Sequence, residues 1–178
     1  GQGYSAYTPL QLAQALGAVV NNGVLYRPHI ARHVVDAKTG EKRTIEPEPL
    51  RTIPLKQAHI DLVKRAMVGV NKAGTGSRAF AGAPYEVGGK TGTAQVYSLK
   101  GGKYVEGRVA ERLRDHSWFI AFAPADKPVI ALAVLVENGG FGAQSAAPIA
   151  RQALDYYLLG KVPAGIAAED PAAEESAE

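Results

Sequence analysis

Two apolar runs in the second half of the chain constrain the fold most. Ser117–Ala123 is apolar almost throughout, and Val129–Val136 is purely aliphatic. Runs of this length predict strands, and a strand without polar alternation belongs in the middle of a sheet, buried on both faces. The compact turn Pro124–Pro128 joins them, and short turns favour antiparallel neighbours. We therefore expect an antiparallel pair with Ser117–Ala123 as the central strand.

A third strand is predicted upstream, over about residues 86–97. Its segment Gly88–Val96 holds three glycines, which are costly in a strand because glycine packs no side chain and loses the most backbone entropy. Such a strand is useful where another backbone must lie close against it. The ammonium of Lys90 and the hydroxyls of Thr91 and Thr93 would meet whatever docks there. This pattern predicts a binding site for an anion.

Helices are expected around these strands. Thr8 and Pro9 are typical of a helix start, and Gly23 is typical of the residue beyond a helix end. A second helix follows, with a predicted apolar face of Ala58, Leu62, Val63, Ala66, Met67 and Val70. A final helix covers about residues 145–159, with Ile149, Leu154, Tyr157 and Leu158 as its predicted packing residues. This element order indicates an α+β domain with helices packed on an antiparallel sheet.

The segment between the first two helices predicts a small hairpin. Residues 30–35 alternate as a strand does, and Thr39-Gly40-Glu41 supplies a turn into Arg43-Thr44-Ile45. The following Glu46-Pro47-Glu48-Pro49 is expected to break regular structure. Lys38-Thr39-Gly40 repeats the Lys-Thr-Gly letters of the glycine-rich strand, and we interpret this copy as turn chemistry.

Composition excludes several classes of function. The chain has no cysteine, which rules out disulfides, thiol catalysis and zinc held by cysteine. Residues 1–164 carry 20 basic and 12 acidic side chains, a net charge of +8, whereas the last fourteen residues carry five acids and no base. The bases are scattered rather than interleaved with aromatic residues, so no nucleic-acid partner is predicted. We assign residues 1–160 to one domain and 161–178 to an acidic, disordered tail.

Other sites suggested by short motifs are rejected. Gly89-Lys90-Thr91 resembles the end of a phosphate-binding loop, but Pro84 stands where the first glycine is needed and a strand follows. Gly74–Ala79 matches a dinucleotide fingerprint by its letters, yet it follows a helix, so we interpret it as a helix-ending turn. His29 and His33 lack a third ligand nearby, and no metal or cofactor is predicted. For His116, packing or hydrogen bonding is the expected role.

Several segments together carry a resemblance to a known family. They are Thr8–Ala13, Asn22–Val24, Arg27-Pro28, Gly88–Gln95 and Trp118–Pro124, and they fall in the family's order. With Lys-Thr-Gly as one of the family's three motifs, the chain resembles the C-terminal part of the transpeptidase domain of class B penicillin-binding proteins. The Arg114-Asp115-His116 lead into the central strand is most similar to the elongation-type group, penicillin-binding protein 2.

The resemblance implies a partial penicillin-binding or serine β-lactamase-like transpeptidase fold and a site on the glycine-rich strand. Lys90 would hold the terminal carboxylate of a peptidoglycan stem peptide and assist proton transfer, and Thr91 and Thr93 would hydrogen-bond that carboxylate. The backbone N–H of Thr93 would donate to the oxyanion. Gly92 would let the peptide lie against the strand edge. Catalytic roles are therefore expected for Lys90 and Thr93.

The two other family motifs are missing from this chain. No serine is followed by lysine three positions on, and no Ser-x-Asn occurs. We expect the nucleophile on an upstream half of the same transpeptidase and expect this chain to be inactive alone. The implied parent is a periplasmic enzyme that is anchored to the bacterial inner membrane by an N-terminal helix. Its implied partners are the stem peptide, β-lactams and the cell-elongation machinery. A non-catalytic peptide- or partner-binding module remains the alternative.

Overall fold

A computed structural model describes residues 5–96, 109–163 and 165 of the chain. The α-helices are Pro9–Val20 (α1), Gln57–Lys72 (α2), Ser77–Phe80 (α3) and Ala146–Leu159 (α4), with a short 3₁₀ helix at Glu111–Leu113. The strands are Val24–Tyr26 (β1), His33–Val35 (β2), Lys42–Thr44 (β3), Pro49–Thr52 (β4), Gly88–Ala94 (β5), His116–Ala123 (β6) and Ile130–Val136 (β7). Mixed helix and antiparallel sheet confirm the predicted fold class.

The main sheet has the predicted strands in the order β5-β6-β7, and both pairings are antiparallel. Strand β6 is the centre, as its apolar sequence predicts. Its register places Lys90 opposite Ile120 and Gly92 opposite Trp118. Within the described residues, β5 pairs only with β6, so the glycine-rich strand is an edge of this sheet.

Burial of β6 differs between its two faces. Phe119 and Ala121 are fully buried on the face that α4 covers. On the opposite face Phe122 is fully buried, but Trp118 and Ile120 are only half-buried. The prediction of burial on both faces is therefore wrong for one face of the first part of β6, at Trp118 and Ile120. An open groove lies over that part of the sheet.

Helix α4 packs on the sheet through small residues. The residues Ala146, Ala147, Ala150 and Leu154 are fully buried there. Two of the predicted packing residues are wrong: Ile149 and Tyr157 are exposed, because they lie on the outer face of the helix. Leu154 and Leu158 do pack against the core. Ser117 also fixes the helix start, since its hydroxyl accepts the N–H of Ala146 at 3.1 Å.

Helix α2 faces the sheet with a side that matches the prediction only in part. Leu62 and Val63 are exposed at 60% and 45%, so their assignment to the apolar face is wrong. Met67 does pack against the core near Phe122, as predicted, but the buried residues of the helix are Ile60 and Asn71, which were not predicted. Apolar periodicity alone does not predict this side of the helix, because the inward side includes the polar residue Asn71.

Helix α1 begins as its sequence predicts. The Thr8 hydroxyl accepts the N–H of Gln11, and the Gln11 side chain accepts the N–H of Thr8, which is a complete capping box. Pro9 occupies the first turn. Leu16 is buried and packs with Phe122, so α1 covers the sheet face opposite to α4.

The segment from 24 to 52 forms two small antiparallel pairs. The predicted hairpin is present as β2–β3, with Gly40 at a φ of +70° in its turn. The second pair joins β1 to β4. Because β4 begins at Pro49, the prediction that residues 46–49 end regular structure is wrong at its last position.

Some predictions fall outside the described residues. These are the acidic tail beyond residue 165 and the last position, residue 97, of the strand predicted over about residues 86–97. In the part of the chain that the structure describes, no helix is long and apolar enough to cross a membrane.

Candidate functional site on the edge strand β5

Two of the glycines in β5 are required by the protein's own core. A Cβ at Gly88 would overlap the ring of Phe122. One at Gly89 would come within 2.7 Å of the Phe119 ring and 2.8 Å of the Asn71 amide nitrogen. The expectation that these glycines admit a docking backbone is therefore corrected, because large side chains from β6 fill the space beneath them.

Gly92 has a different neighbourhood. A Cβ there would lie 3.0 Å from the Trp118 Cβ, which is tight but free of overlap with backbone. Gly142, in the loop before α4, lies against the same point of β5, since a Cβ at Gly142 would come within 2.6 Å of the Gly92 carbonyl oxygen. Backbone thus meets backbone at Gly92, and the partner is the protein's own loop.

A groove of about 490 Å³ runs along β5. Its floor is formed by Trp118 and Ile120, and residues at the start of α1, including Tyr7 and Leu12, form one wall. The predicted site residues Lys90, Thr91, Gly92 and Thr93 all line it, together with Ala94, Gln95 and His116. The structure therefore brings the predicted site residues together in one concave surface that is apolar in its floor and polar along the strand.

Lys90 is the exposed cation of this groove. Its ammonium donates to the carbonyl oxygen of Thr91 at 2.8 Å. The neighbouring Thr91 hydroxyl lies 2.8 Å from the hydroxyl of Thr75, and either oxygen can be the donor. An ammonium beside hydroxyls on an exposed strand edge is chemically suited to a carboxylate, because all of these groups can donate hydrogen bonds to an anion.

Sequence reasoning missed two residues that contact this strand: Asn71 at the end of α2, and Thr75 in the turn that follows. Asn71 is 7% exposed and its amide donates to the carbonyl oxygen of Val87 at 2.9 Å, which ties α2 to the start of β5. Thr75 belongs to the turn that was interpreted only as a helix end. The turn interpretation is correct for residues 74–76, since the N–H groups of Gly74 and Gly76 both donate to Val70, but Ser77–Ala79 belong to α3. The sequence signal that could have identified Asn71 is an amide side chain near the end of a helix that packs on the sheet.

His116 is held at the far end of the groove. Its Nδ1 accepts the backbone N–H of Asn138 at 2.9 Å, and the Asn138 side chain donates to the carbonyl oxygen of Arg114. Hydrogen bonding is thus its observed role. Because Nδ1 is an acceptor, the neutral ring carries its proton on Nε2.

An ion-pair network holds α4 near the segment that leads into β5. The Tyr85 hydroxyl donates to Asp155 at 2.5 Å, and Arg151 donates to the same oxygen at 2.9 Å. Burial, with the bond to Asp155, raises the pKa of Tyr85 well above its usual value. Burial acts to raise the pKa of Asp155, but hydrogen bonds from Tyr85 and Arg151 outweigh it and lower that pKa.

The other Lys-Thr-Gly triplet, Lys38-Thr39-Gly40, has no such surroundings. The Asp36 carboxylate accepts the N–H groups of Lys38 and Thr39 at 2.8 and 2.9 Å, which closes the β2–β3 turn locally. As for the histidines before it, His29 contacts the carbonyl oxygen of Ala31 and His33 belongs to β2. Among the described residues, no three metal-binding side chains come together.

Comparison with known proteins gives one family. Residues 1–155 match the penicillin binding protein transpeptidase domain. Among curated proteins, the chain is 43% identical to the peptidoglycan D,D-transpeptidase MrdA of Haemophilus influenzae, over 92% of this chain and 25% of that protein. It therefore spans about a quarter of the length of that relative.

Solved structures agree with this relationship. Penicillin-binding protein 2 of Pseudomonas aeruginosa, in complex with WCK 5153, is similar at a TM-score of 0.69 and 38% identity, covering 96% of this chain and 34% of that one. A ceftriaxone acyl-enzyme of penicillin-binding protein A from M. tuberculosis gives 0.72 and 29%, covering 89% and 34%. Penicillin-binding protein 2 of Helicobacter pylori, in complex with MreC, gives 0.65 and 27%, covering 90% and 26%. On the match to its residues 1–155, the chain belongs to the penicillin-binding protein transpeptidase family.

Proposed function

We propose that this chain supplies the carboxylate-binding strand of a peptidoglycan D,D-transpeptidase of the elongation type. By parent protein we mean a polypeptide that contains this chain and is as long as the relatives. One observation carries the proposal: Lys90, Thr91 and Thr93 lie on an edge strand that lines an open groove. In that setting a D-Ala-D-Ala stem peptide adds to β5 as a further strand, with its terminal carboxylate at Lys90.

Lys90 contributes by charge and position. Its ammonium is exposed and already donates to a carbonyl oxygen, so an incoming carboxylate replaces a neutral acceptor with a charged one. The bond to the carbonyl oxygen already has a charged donor, and a carboxylate acceptor adds direct attraction between opposite charges. The hydroxyls of Thr91 and Thr93 complete the set of donors. The half-buried Trp118 and Ile120 supply an apolar floor for the peptide's methyl groups.

The reaction needs residues beyond this chain. A serine elsewhere in the parent protein attacks the penultimate D-alanine carbonyl, expels D-alanine and forms an acyl-enzyme, which an amine of a neighbouring peptide resolves. The backbone N–H of Thr93 would be one donor to the oxyanion. Removing a donor of this kind costs about 3 to 4 kcal/mol in other acyl transferases. β-Lactams would acylate the same serine, and the ceftriaxone acyl-enzyme of the M. tuberculosis relative supports this extension.

The parent protein is further proposed to act in the periplasm, anchored to the inner membrane, as part of the elongation machinery. Support comes from the complex of MreC with the H. pylori relative and from the relationship to MrdA. The basic surface of the chain suits an anionic cell-wall polymer, because its residues up to 164 carry a net charge of +8.

Labelling with fluorescent penicillin tests the proposal. The parent protein is expected to form a covalent adduct that survives denaturing gel electrophoresis, and D-Ala-D-Ala peptide should slow its formation. The isolated chain should form none, because no Ser-x-x-Lys motif lies in it. A covalent adduct on the isolated chain would contradict the proposal, and so would a parent protein that never labels. Peptide binding by a non-labelling parent would favour the non-catalytic module.

A further inference from the structure

A second threonine stands behind the proposed carboxylate site. Thr75, in the turn between α2 and α3, has its hydroxyl oxygen 2.8 Å from that of Thr91, sixteen residues further along the chain. A threonine hydroxyl has one proton to donate and lone pairs to accept with. When Thr91 donates its proton to a bound carboxylate, its bond to Thr75 persists only with Thr75 as the donor. Substrate therefore fixes the direction of this hydrogen bond.

The turn that carries Thr75 has little freedom to move. The N–H groups of Gly74 and Gly76 both donate to the Val70 carbonyl oxygen, at 3.1 and 3.0 Å. A Cβ at Gly74 would come within 2.9 Å of the Val70 Cα, and one at Gly76 would overlap the amide oxygen of Asn71. The turn is thus packed directly onto the end of its own helix, where larger residues have no room.

The helix end is in turn fixed to β5. Asn71 is buried and donates to Val87, one residue before the strand begins. Two hydrogen bonds, to Val87 just before β5 and to Thr91 within it, therefore hold the turn against the strand.

We propose that Thr75 is a positioning residue for the carboxylate-binding Thr91, whose proton it directs toward the substrate by donating its own. The inference rests on the proposed function, since it needs an anionic ligand at Thr91. Hydrogen bonds in a chain polarise one another, so the donated bond also makes Thr91 the better donor. The effect is confined to ligands that present a carboxylate at this point.

The test compares two ligands on variants of the parent protein. One ligand is a β-lactam with its free carboxylate, and the other is the methyl ester of the same compound. The wild type is expected to be acylated faster by the acid than by the ester. Thr75→Val, which keeps the shape and removes the hydroxyl, should lower that ratio about fivefold, as expected for the loss of one hydrogen bond. Thr75→Ser should restore it.

Controls separate positioning from structural support. Thr52→Val, an exposed threonine of β4, is the matched variant and should leave the ratio unchanged. In the Thr91→Val background, adding Thr75→Val should lower the ratio no further, because Thr75 acts through Thr91. Where Thr75→Val does not fold, Thr75→Ala is measured in its place with the same expectation.

The outcomes are distinct. An unchanged acid-to-ester ratio in the folded Thr75 variant overturns the inference, even where both rates fall, because equal losses show structural support alone. Additive losses in the double variant also overturn it. A wild-type parent that neither compound acylates contradicts the proposed function instead.

Discussion

The chain contains the same three letters twice, and the two copies differ in what holds them. Lys38-Thr39-Gly40 lies in the β2–β3 turn, where Asp36, two residues before it, accepts its first two N–H groups. Lys90-Thr91-Gly92 lies in β5, whose Gly88 and Gly89 pack on aromatic rings of β6, and Thr91 contacts the turn after α2. One triplet is fixed by its neighbours in sequence, and the other by contacts that are distant in sequence.

The glycines show the same difference. Gly40 has a φ of +70° and nothing within 4 Å of the position of a Cβ, so its role is purely conformational. Gly88 and Gly89 of the second copy's strand have ordinary extended backbone and no room at all. The triplet proposed as a binding site is therefore the one whose strand packs against the core and lies at an edge of the sheet.

Lysine replacement is expected to give the largest contrast between the copies. In the parent protein, Lys90→Ala should slow acylation by fluorescent penicillin about 100-fold or more, because it removes the cation that holds the carboxylate and assists proton transfer. Lys38→Ala should leave the acylation rate unchanged. Both side chains are exposed, so neither variant should shift the thermal unfolding midpoint greatly. Equal losses from the two variants would remove the distinction drawn between the triplets.

Glycine replacement should give the next largest contrast, measured as stability to urea. Gly88→Ala drives a methyl group into the Phe122 ring and should cost about 3 kcal/mol, at the upper end of overpacking. Gly40→Ala meets no atoms but strains a left-handed backbone, which costs about 1 kcal/mol. Gly69→Ala in α2, with nothing within 4 Å, is the control and should be neutral or stabilising. A larger loss at Gly40 than at Gly88 would contradict the packing argument.

The features that could be predicted from the sequence are those fixed by residues that are close in sequence. The start of α1 at Thr8 and Pro9 and the Asp36 turn involve residues close in sequence, and local pattern predicts such features well. The position of β6 as the central strand was also predictable, because a run of six apolar residues from Trp118 to Ala123 is typical of a buried strand.

The features that were missed depend on tertiary contact. The residues near Gly88 in sequence do not predict its contact with the Phe122 ring, 34 residues later. The residues near Thr75 likewise do not predict its hydrogen bond to Thr91. The α2 face was wrong because apolar periodicity favoured Leu62 and ignored Asn71, whose amide is buried against β5. Burial of a polar group with a partner is decided by the partner, which local sequence does not name.

The smallest expected effect is the titration of Asp36, which accepts the N–H groups of Lys38 and Thr39 in the first triplet. Hydrogen bonds from the N–H groups of Thr39 and Lys38 lower the pKa of Asp36 below its usual value of about 3.9. A carboxyl group with a lowered pKa in the folded state stabilises the fold above its unfolded-state pKa, and this contribution is lost as the pH falls through the folded-state value. The amide chemical shifts of Lys38 and Thr39 should therefore titrate together, with a midpoint below 3.9. In Asp36→Asn this titration should disappear.

A peptide of residues 32–46 sharpens this last contrast. Because the hydrogen bonds that lower the Asp36 pKa come from residues two and three positions away, part of the shift should persist in the peptide, diminished by fraying of the β2–β3 turn.

The lowered pKa of Asp155 has the opposite origin, since Tyr85 lies 70 residues away and donates only in the folded chain. A peptide of residues 146–160 retains Arg151 but not Tyr85, so its Asp155 should titrate closer to the usual value. An Asp36 shift that vanished in the first peptide would mean that tertiary contacts hold both triplets.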